Sequence, residues 1–127
     1  MSTTTLHADD LHQTLADNDT ILIDFWATWC GPCRVFGPVF EAASNRHPDV
    51  LFTKVDTEAE PELAAAFGIQ SIPTLVAFRG GVLVFQQSGA LPAAALDELV
   101  GKLQELDIDA VRAAAVSRDD SSAAPAA

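Results

Sequence analysis

The 127-residue chain has no tyrosine, one methionine and only two cysteines, and it carries seven basic residues against 18 acidic ones. The formal net charge of −11 argues against a nucleic-acid or anionic-membrane surface, because both need clustered lysine and arginine. The apolar run at residues 21–29 is interrupted by Asp24 and is too short to cross a bilayer. We therefore expect a soluble protein with no nucleic-acid or membrane partner.

The first residues also lack a basic segment followed by an apolar stretch, so we expect no signal peptide. This favours a cytoplasmic protein, and structural disulfides are rare in that compartment. The length and the 49% hydrophobic content favour one globular domain with its own core.

Helical and strand patterns alternate along the chain and predict an α/β fold. Helices are predicted at 8–17, at about 30–45, between Thr57 and Gly68, and from Pro92 to Leu106. A capping box is predicted between Thr57 and Glu60 at the start of the third of these helices. Strands are predicted at 20–26, 50–55, 73–78 and 82–87, and residues 3–6 can add a short leading strand.

The strand at 20–26 is apolar on both faces, which requires helices on both sides of its sheet. The expected architecture is a central mixed sheet of four to five strands between helices. Residues 1–106 are assigned to this domain. Residues 107–127 form an extension rich in Ala, Ser and Asp. In this extension 109–116 can continue the last helix, whereas the composition from Ser117 onward favours disorder.

Cys30 and Cys33 have the spacing of a redox pair, but also that of half a zinc site. A zinc site needs about four ligands. His7 and His12 are spaced like a ligand pair but precede the cysteines, and His47 stands alone. Surface histidines account for all three more simply, so no metal is expected.

The redox interpretation follows from where the cysteines fall. Cys30 ends a strand and opens a helix, where unpaired backbone N–H groups and the helix dipole favour a thiolate. Cys33 lies one turn later, on the side expected to be nearer the core, and should keep its proton longer. A disulfide across so short a loop stabilises the folded state by only about 2 kcal/mol, through the chain entropy that it removes from the unfolded state. Such a disulfide can therefore be reduced without unfolding the protein.

Gly31 and Pro32 set the character of the pair. Gly31 leaves backbone accessible beside the sulfur, and Pro32 stiffens the turn and has no N–H to donate. A histidine at either position would stabilise the thiolate and make the pair more oxidising, so its absence favours a reductant.

The stretch Trp29-Cys30-Gly31-Pro32-Cys33, preceded by Asp24-Phe25-Trp26-Ala27, resembles the active site of the thioredoxin family. The similarity continues at 54–56, 67–69, 72–74 and 88–91, in the family's order over residues 4–106. The resemblance implies a thioredoxin fold and a general protein-disulfide reductant. It implies a reversible Cys30–Cys33 disulfide and no bound cofactor.

The resemblance also implies roles for individual residues. Cys30 is the expected nucleophile, Cys33 the resolving cysteine, and Pro73 a cis-proline beside them. Asp24 is the expected buried acid that accepts the proton of Cys33, with Lys54 tuning its pKa. The substrate-binding rim implied by the resemblance consists of Trp29, Ile72, Pro73, Gly89 and Ala90.

The partners implied are disulfide-containing proteins and a thioredoxin reductase that draws on NADPH or ferredoxin, and the chain is expected to be a monomer. Some alternatives remain open. Ile72 and Ala90 can be ordinary packing residues, and Asp24 can be a structural carboxylate satisfied by nearby hydroxyls. The rim can also serve a non-redox binding module, such as a chaperone or an assembly subunit. An oxidase or isomerase of an export compartment is disfavoured by Pro32 and by the missing signal peptide.

Overall fold

The computed structural model describes residues 3–123, with side chains up to residue 116. The elements are, in order, β1 (Thr3–Thr5), α1 (Leu11–Asp17), β2 (Thr20–Trp26), α2 (Gly31–Arg46), β3 (Leu51–Asp56), α3 (Pro61–Ala66), β4 (Thr74–Arg79), β5 (Val82–Ser88), α4 (Ala93–Glu105) and α5 (Ile108–Ala123). A short 3-10 turn at Ala8–Asp10 leads into α1. Within the described range, no helix has the length and apolar character needed to span a membrane.

The strands form one mixed sheet in the order β1-β3-β2-β4-β5, which confirms the predicted architecture. β1, β3 and β2 run parallel, whereas β4 is antiparallel to both β2 and β5. Asp24 in the central strand pairs with Lys54 on one side and with Leu75 on the other. The carboxyl end of β2 leads directly into the loop that ends at Cys30, the residue before α2.

Alternate residues of β2 point to opposite faces of the sheet, and both faces are buried, as predicted. On one side Leu22 packs with Phe36 and Phe40 of α2 and with residues of α4. The other face of β2 packs beneath α1 and α3 through Ile21, Ile23 and Phe25. Asp24 shares its face with Leu22 and therefore lies on the α2 side.

Helix α2 is anchored through one apolar face. Its buried side chains include Phe36, Phe40 and Ala43, and the rings of Phe40 and Phe52 of β3 lie 5.0 Å apart. Val35 on the opposite face is 70% exposed. Because Cys30 is the N-cap residue of this helix, the packing of α2 fixes the position of the cysteine pair.

The predicted capping box at the start of α3 is wrong. The Thr57 hydroxyl donates instead to the carbonyl oxygen of Trp26 at 3.2 Å. The Glu60 carboxylate accepts a hydrogen bond from the backbone N–H of Ala8 at 3.2 Å and pairs with His7 at 2.9 Å. Both side chains bind residues distant in sequence, and α3 begins with a proline that needs no cap for its missing N–H.

The extension after residue 106 also differs from the expectation. The last helix does not continue: α4 ends at Glu105, and α5 starts anew at Ile108. The Asp107 carboxylate caps α5 by accepting a hydrogen bond from the N–H of Ala110 at 3.0 Å. The backbone is helical as far as Ala123, past the point where the composition favours disorder. Residues 124–127 lie outside the described residues.

The packing of α2 has a measurable consequence. We expect Phe40→Ala to lower the free energy of unfolding by about 3–5 kcal/mol, because it leaves a cavity where the ring is 0% exposed. Val35→Ala on the exposed face of the same helix should change it by less than about 0.5 kcal/mol. Urea titration of both variants gives the comparison, and similar values for the two would contradict the described core.

Candidate active site

The two cysteines are joined by a disulfide at the start of α2, with their Cα atoms 5.2 Å apart. The backbone N–H of Cys33 donates a hydrogen bond to the sulfur of Cys30 at 3.1 Å. A sulfur that receives such a bond at the N-terminus of a helix holds negative charge more readily. When the disulfide is reduced, this geometry favours a thiolate at Cys30.

The sequence predicted that Cys33 lies nearer the core than Cys30, but the two residues are equally buried. Cys30 is 3% exposed and Cys33 is 5% exposed, and both pack with Ala27. Ile72 borders the same small cluster, and its carbonyl oxygen lies 3.8 Å from Cys30 Sγ. The asymmetry of the pair therefore rests on the helix terminus and its hydrogen bond, not on exposure.

A second loop meets the cysteines from the sheet side. The Ile72–Pro73 peptide bond is cis, and Pro73 is buried at the entrance to β4. The carbonyl oxygen of Pro73 accepts a hydrogen bond from the N–H of Gly89 at 2.7 Å. Gly89 has φ of +102°, a conformation that favours glycine. The loops before β4 and after β5 are thus tied together beside Cys30.

The surface beside the disulfide carries an exposed indole. Trp29 is 64% exposed, and its Nε1 donates a hydrogen bond to Glu58 Oε2 at 3.0 Å. The N–H of Glu58 is in turn bound by the Asp56 carboxylate at 2.9 Å. Sequence reasoning did not single out Glu58, and its only signal is an acid placed shortly after the end of β3.

An apolar pocket of about 390 Å³ lies next to Trp29. Among the rim residues implied by the resemblance, Trp29 and Ile72 line this pocket. Gly89 and Ala90 are exposed but do not line it. The remaining lining residues were not predicted as site residues: Thr57, Ala64, Ile69, Gln70 and Ser71.

Asp24 is 0% exposed, and neither carboxyl oxygen accepts a hydrogen bond within the described part of the chain. The alternative of a carboxylate satisfied by nearby hydroxyls is therefore wrong. Burial raises the pKa of Asp24 to about 6, and the positive charge of Lys54 partly opposes that rise. The protein thus holds an acid that titrates near neutral pH at the centre of its sheet.

Lys54 and Cys33 line one groove of about 530 Å³ on the α2 side of the sheet. Lys54 Nζ lies 5.1 Å from the centroid of the Trp26 ring, which also lines the groove. Arg34 closes part of the wall by donating two hydrogen bonds to the carbonyl oxygen of Thr28, at 2.8 and 3.3 Å. Water that enters this groove reaches both Lys54 and Cys33.

Across residues 3–116, no three metal-ligating side chains group together. Two of the three histidines have carboxylate partners instead. His7 pairs with Glu60 at 2.9 Å, and His47 pairs with Asp97 at 2.7 Å. These contacts agree with the interpretation of the histidines as surface residues.

Comparison with known proteins decides the family. The family model described as Thioredoxin matches residues 2–102. The chain belongs to the thioredoxin family. It is 58% identical over 113 residues to a putative thioredoxin 2 of Streptomyces coelicolor, across 89% of this chain and 84% of that protein. It is 41% identical over 97 residues to a thioredoxin of Alicyclobacillus acidocaldarius, across 76% and 92% of the two chains.

Solved structures agree with this assignment. A point mutant of the thioredoxin from Halobacterium salinarum superimposes with a TM-score of 0.78 at 34% identity, over 84% of this chain and 94% of that one.

Thioredoxins are protein-disulfide oxidoreductases that use a redox-active disulfide and carry no cofactor. The chain is accordingly a thiol-disulfide oxidoreductase that works through Cys30 and Cys33. Its partners are disulfide-containing proteins and a reductase, and the comparisons lend no support to the non-redox alternative.

The burial of Asp24 makes stability depend on pH. Its pKa rises from 3.8 to about 6 on folding, so the folded protein binds this proton more tightly than the unfolded chain. Stability should fall as pH rises from about 4 to about 6, by on the order of 3 kcal/mol when the loss is complete. We expect Asp24→Asn to exceed the parent by up to this amount at about pH 7.5 and by less than about 1 kcal/mol at about pH 4.

Urea titration of the oxidised proteins at both pH values measures this difference. Asp49→Asn, which changes an exposed loop carboxylate, is the matched control. A stability gap between Asp24→Asn and the parent that is equal at the two pH values would contradict a buried, unpaired acid.

Proposed function

We propose that the chain is a general protein-disulfide reductant in which Cys30 is the nucleophile and Cys33 the resolving cysteine. The observation that carries this assignment is the hydrogen bond from the Cys33 N–H to Cys30 Sγ at the start of α2. It stabilises negative charge on one sulfur of the pair only. The sulfur of Cys33, which lies inside the first turn of the helix, reacts in the second step.

The reaction then proceeds as two exchanges. The Cys30 thiolate attacks one sulfur of the substrate disulfide, forms a mixed disulfide and releases the first substrate thiolate. Cys33 loses its proton and attacks Cys30 Sγ, so the second substrate thiolate leaves. The substrate gains two electrons, and the Cys30–Cys33 disulfide that forms has lost them. A reductase returns two electrons to restore the dithiol.

Asp24 is proposed as the acceptor of the Cys33 proton. A carboxyl group with a pKa of about 6 accepts a proton near neutral pH far better than an ordinary carboxylate does. Its oxygens have no competing hydrogen bond within the described residues, and it lies on the sheet face covered by α2. Lys54 pairs with Asp24 in the adjacent strand and keeps the pKa from rising further. Cys33 and Lys54 line the same groove, so water in that groove can bridge Cys33 and the Lys54 ammonium group.

The proposed docking surface is the rim formed by Trp29, Ile72, Pro73, Gly89 and Ala90. Trp29 presents an indole held in place by Glu58, and the pocket beside it is lined mainly by apolar atoms. A surface of this kind binds extended segments of many sequences through apolar contact, which suits a reductant with many substrates. We propose Glu58 as a positioning residue for Trp29.

The direction of the reaction is inferred from the residues between the cysteines. Pro32 brings no N–H and no positive charge to the thiolate, and a Cβ added to Gly31 would have no neighbour within 4 Å. The open space at Gly31 leaves room for a protein disulfide to approach the pair, and Pro32 does not make the pair strongly oxidising.

We propose a cytoplasmic monomer whose reductase draws on NADPH or ferredoxin. Coupled reduction of a model protein disulfide with each type of reductase tests the direction and the electron source.

The order of the two cysteines can be tested by trapping. We expect Cys33→Ser to accumulate stable mixed disulfides between Cys30 and substrate proteins, because the resolving attack is lost. Cys30→Ser is the matched control and should trap none. Non-reducing electrophoresis and mass spectrometry identify the adducts. Adducts on Cys33 in the control, or none on Cys30, would overturn the assigned order.

The role of Asp24 can be separated from its effect on stability. We expect Asp24→Asn to slow the resolving step by about 10²-fold or more, the usual scale of general base catalysis. The first attack by Cys30 should be nearly unchanged and serves as the internal control. Stopped-flow measurement of mixed-disulfide formation and decay separates the two steps. Equal slowing of both would contradict proton transfer to Asp24.

A further inference from the structure

Helix α5 begins at Ile108, beyond the range 2–102 that the family model matches. Its first turns are docked on the turn between β4 and β5. Arg112 Nε donates a hydrogen bond to the carbonyl oxygen of Gly80 at 2.9 Å. A Cβ added to Gly80 would lie 2.6 Å from Cγ2 of Ile108, so Ile108 packs directly on the glycine backbone.

The connection into α5 is fixed as well. Arg79, at the end of β4, donates hydrogen bonds to the carbonyl oxygens of Gln104 at 3.2 Å and Leu106 at 3.0 Å. The Asp107 carboxylate then caps α5. Arg79 of β4 and Arg112 of α5 thus fix the end of α4 and the start of α5 at the β4–β5 turn. These contacts position α5 as an element of the fold.

Beyond the turn, α5 lies against the first half of β5. Apolar side chains of both elements and of the connection between α4 and α5 line a groove of about 370 Å³, namely Val84, Leu106, Val111 and Ala114. Val84 is the extra residue of a register shift: Ala77 pairs with Phe85 and Phe78 pairs with Leu83. The helix therefore meets β5 where its ladder is already irregular.

β5 is an edge strand of a kind that promotes self-association. In the described sheet the other edge, β1, spans only Thr3–Thr5, whereas β5 spans Val82–Ser88. The sequence of β5, Val-Leu-Val-Phe-Gln-Gln-Ser, contains no charged residue and no proline. An apolar, uncharged edge is a template for pairing with another strand, and proteins protect such edges with charge, proline, bulges or a covering element. In this strand the register shift at Val84 interrupts the ladder, and α5 contacts the same residue through the groove.

We propose that α5 is an edge guard, which stays docked across Gly80 and Val84 and keeps β5 from pairing with β5 of a second copy of the chain. The acidic charge of the chain slows encounters between copies but places no charge on this strand. The occupant that α5 excludes is thus another molecule of the same protein. The active-site loops lie at the opposite end of β4 from Gly80, so undocking α5 leaves the redox reaction unchanged.

Docking can be tested in the full-length chain with paired variants on one helix. Ile108→Ser with Val111→Ser removes the side chains that contact Gly80 and the groove. Val116→Ser makes the same kind of change at a position that is 59% exposed, and is the control. In hydrogen exchange, we expect the double variant to lose at least about tenfold protection in α5 and in β5, and the control to match the parent. The proposal would be overturned if the amides of α5 in the parent exchanged as fast as those of an unstructured peptide. It would also be overturned if the amides of β5 exchanged equally fast in the double variant and in the control.

The consequence for assembly is tested by sedimentation velocity over a range of concentrations. We expect the double variant to form dimers or larger species where the parent and Val116→Ser remain monomeric. Adding Leu83→Lys, which places a charge on the exposed side of β5, should restore the monomer. A double variant that sediments like the parent, or association that Leu83→Lys does not reverse, would refute the edge-guard role. If the double variant does not fold, Arg112→Gln weakens docking more mildly and should shift exchange and association in the same direction.

Discussion

The fold depends on burying both faces of β2. A central strand with Ile21, Ile23 and Phe25 on one face and Leu22 on the other needs a helical layer on each side. One of those layers is α2, whose packing against the sheet sets where its first residue lies. The end of β2 and the start of α2 are separated only by the loop that holds Trp29 and Cys30. The burial of one strand thereby positions the reacting sulfurs.

The same constraint creates the protein's main internal cost. Asp24 occupies a position in β2 where an apolar residue would pack without penalty, and the described residues offer its oxygens no hydrogen bond. Lys54 in the neighbouring strand reduces the cost only in part. Groups that destabilise a fold yet lie close to the chemistry are typical of functional sites, because activity and stability often compete. The proton-acceptor role proposed for Asp24 gives a reason for the chain to keep it.

Hydrophobic periodicity was enough to predict the order of the elements and the mixed sheet, because each strand and helix of the core carries its own apolar pattern. The resemblance predicted that Cys30, Pro73 and Trp29 belong to one site, and the fold places all three around the disulfide. What the sequence could not predict depends on contacts between distant segments. Glu60 binds Ala8 instead of capping α3, and Glu58 binds the indole of Trp29. Cys30 is as covered as Cys33 because the loop at Ile72 lies against it. The docking of α5 likewise depends on Gly80 at the distant β4–β5 turn, and nothing in the sequence around Ile108 signals that contact.

The position of Trp26 has an optical consequence. Its ring borders the cluster that contains both cysteines, whereas the indole of Trp29 is largely in solvent. Because the chain has no tyrosine, its near-ultraviolet emission comes from these two indoles, and a disulfide quenches a neighbouring indole more strongly than a dithiol does. We therefore expect the emission intensity of the unlabelled protein to differ between the oxidised and the reduced Cys30–Cys33 pair, so that turnover can be followed without a dye.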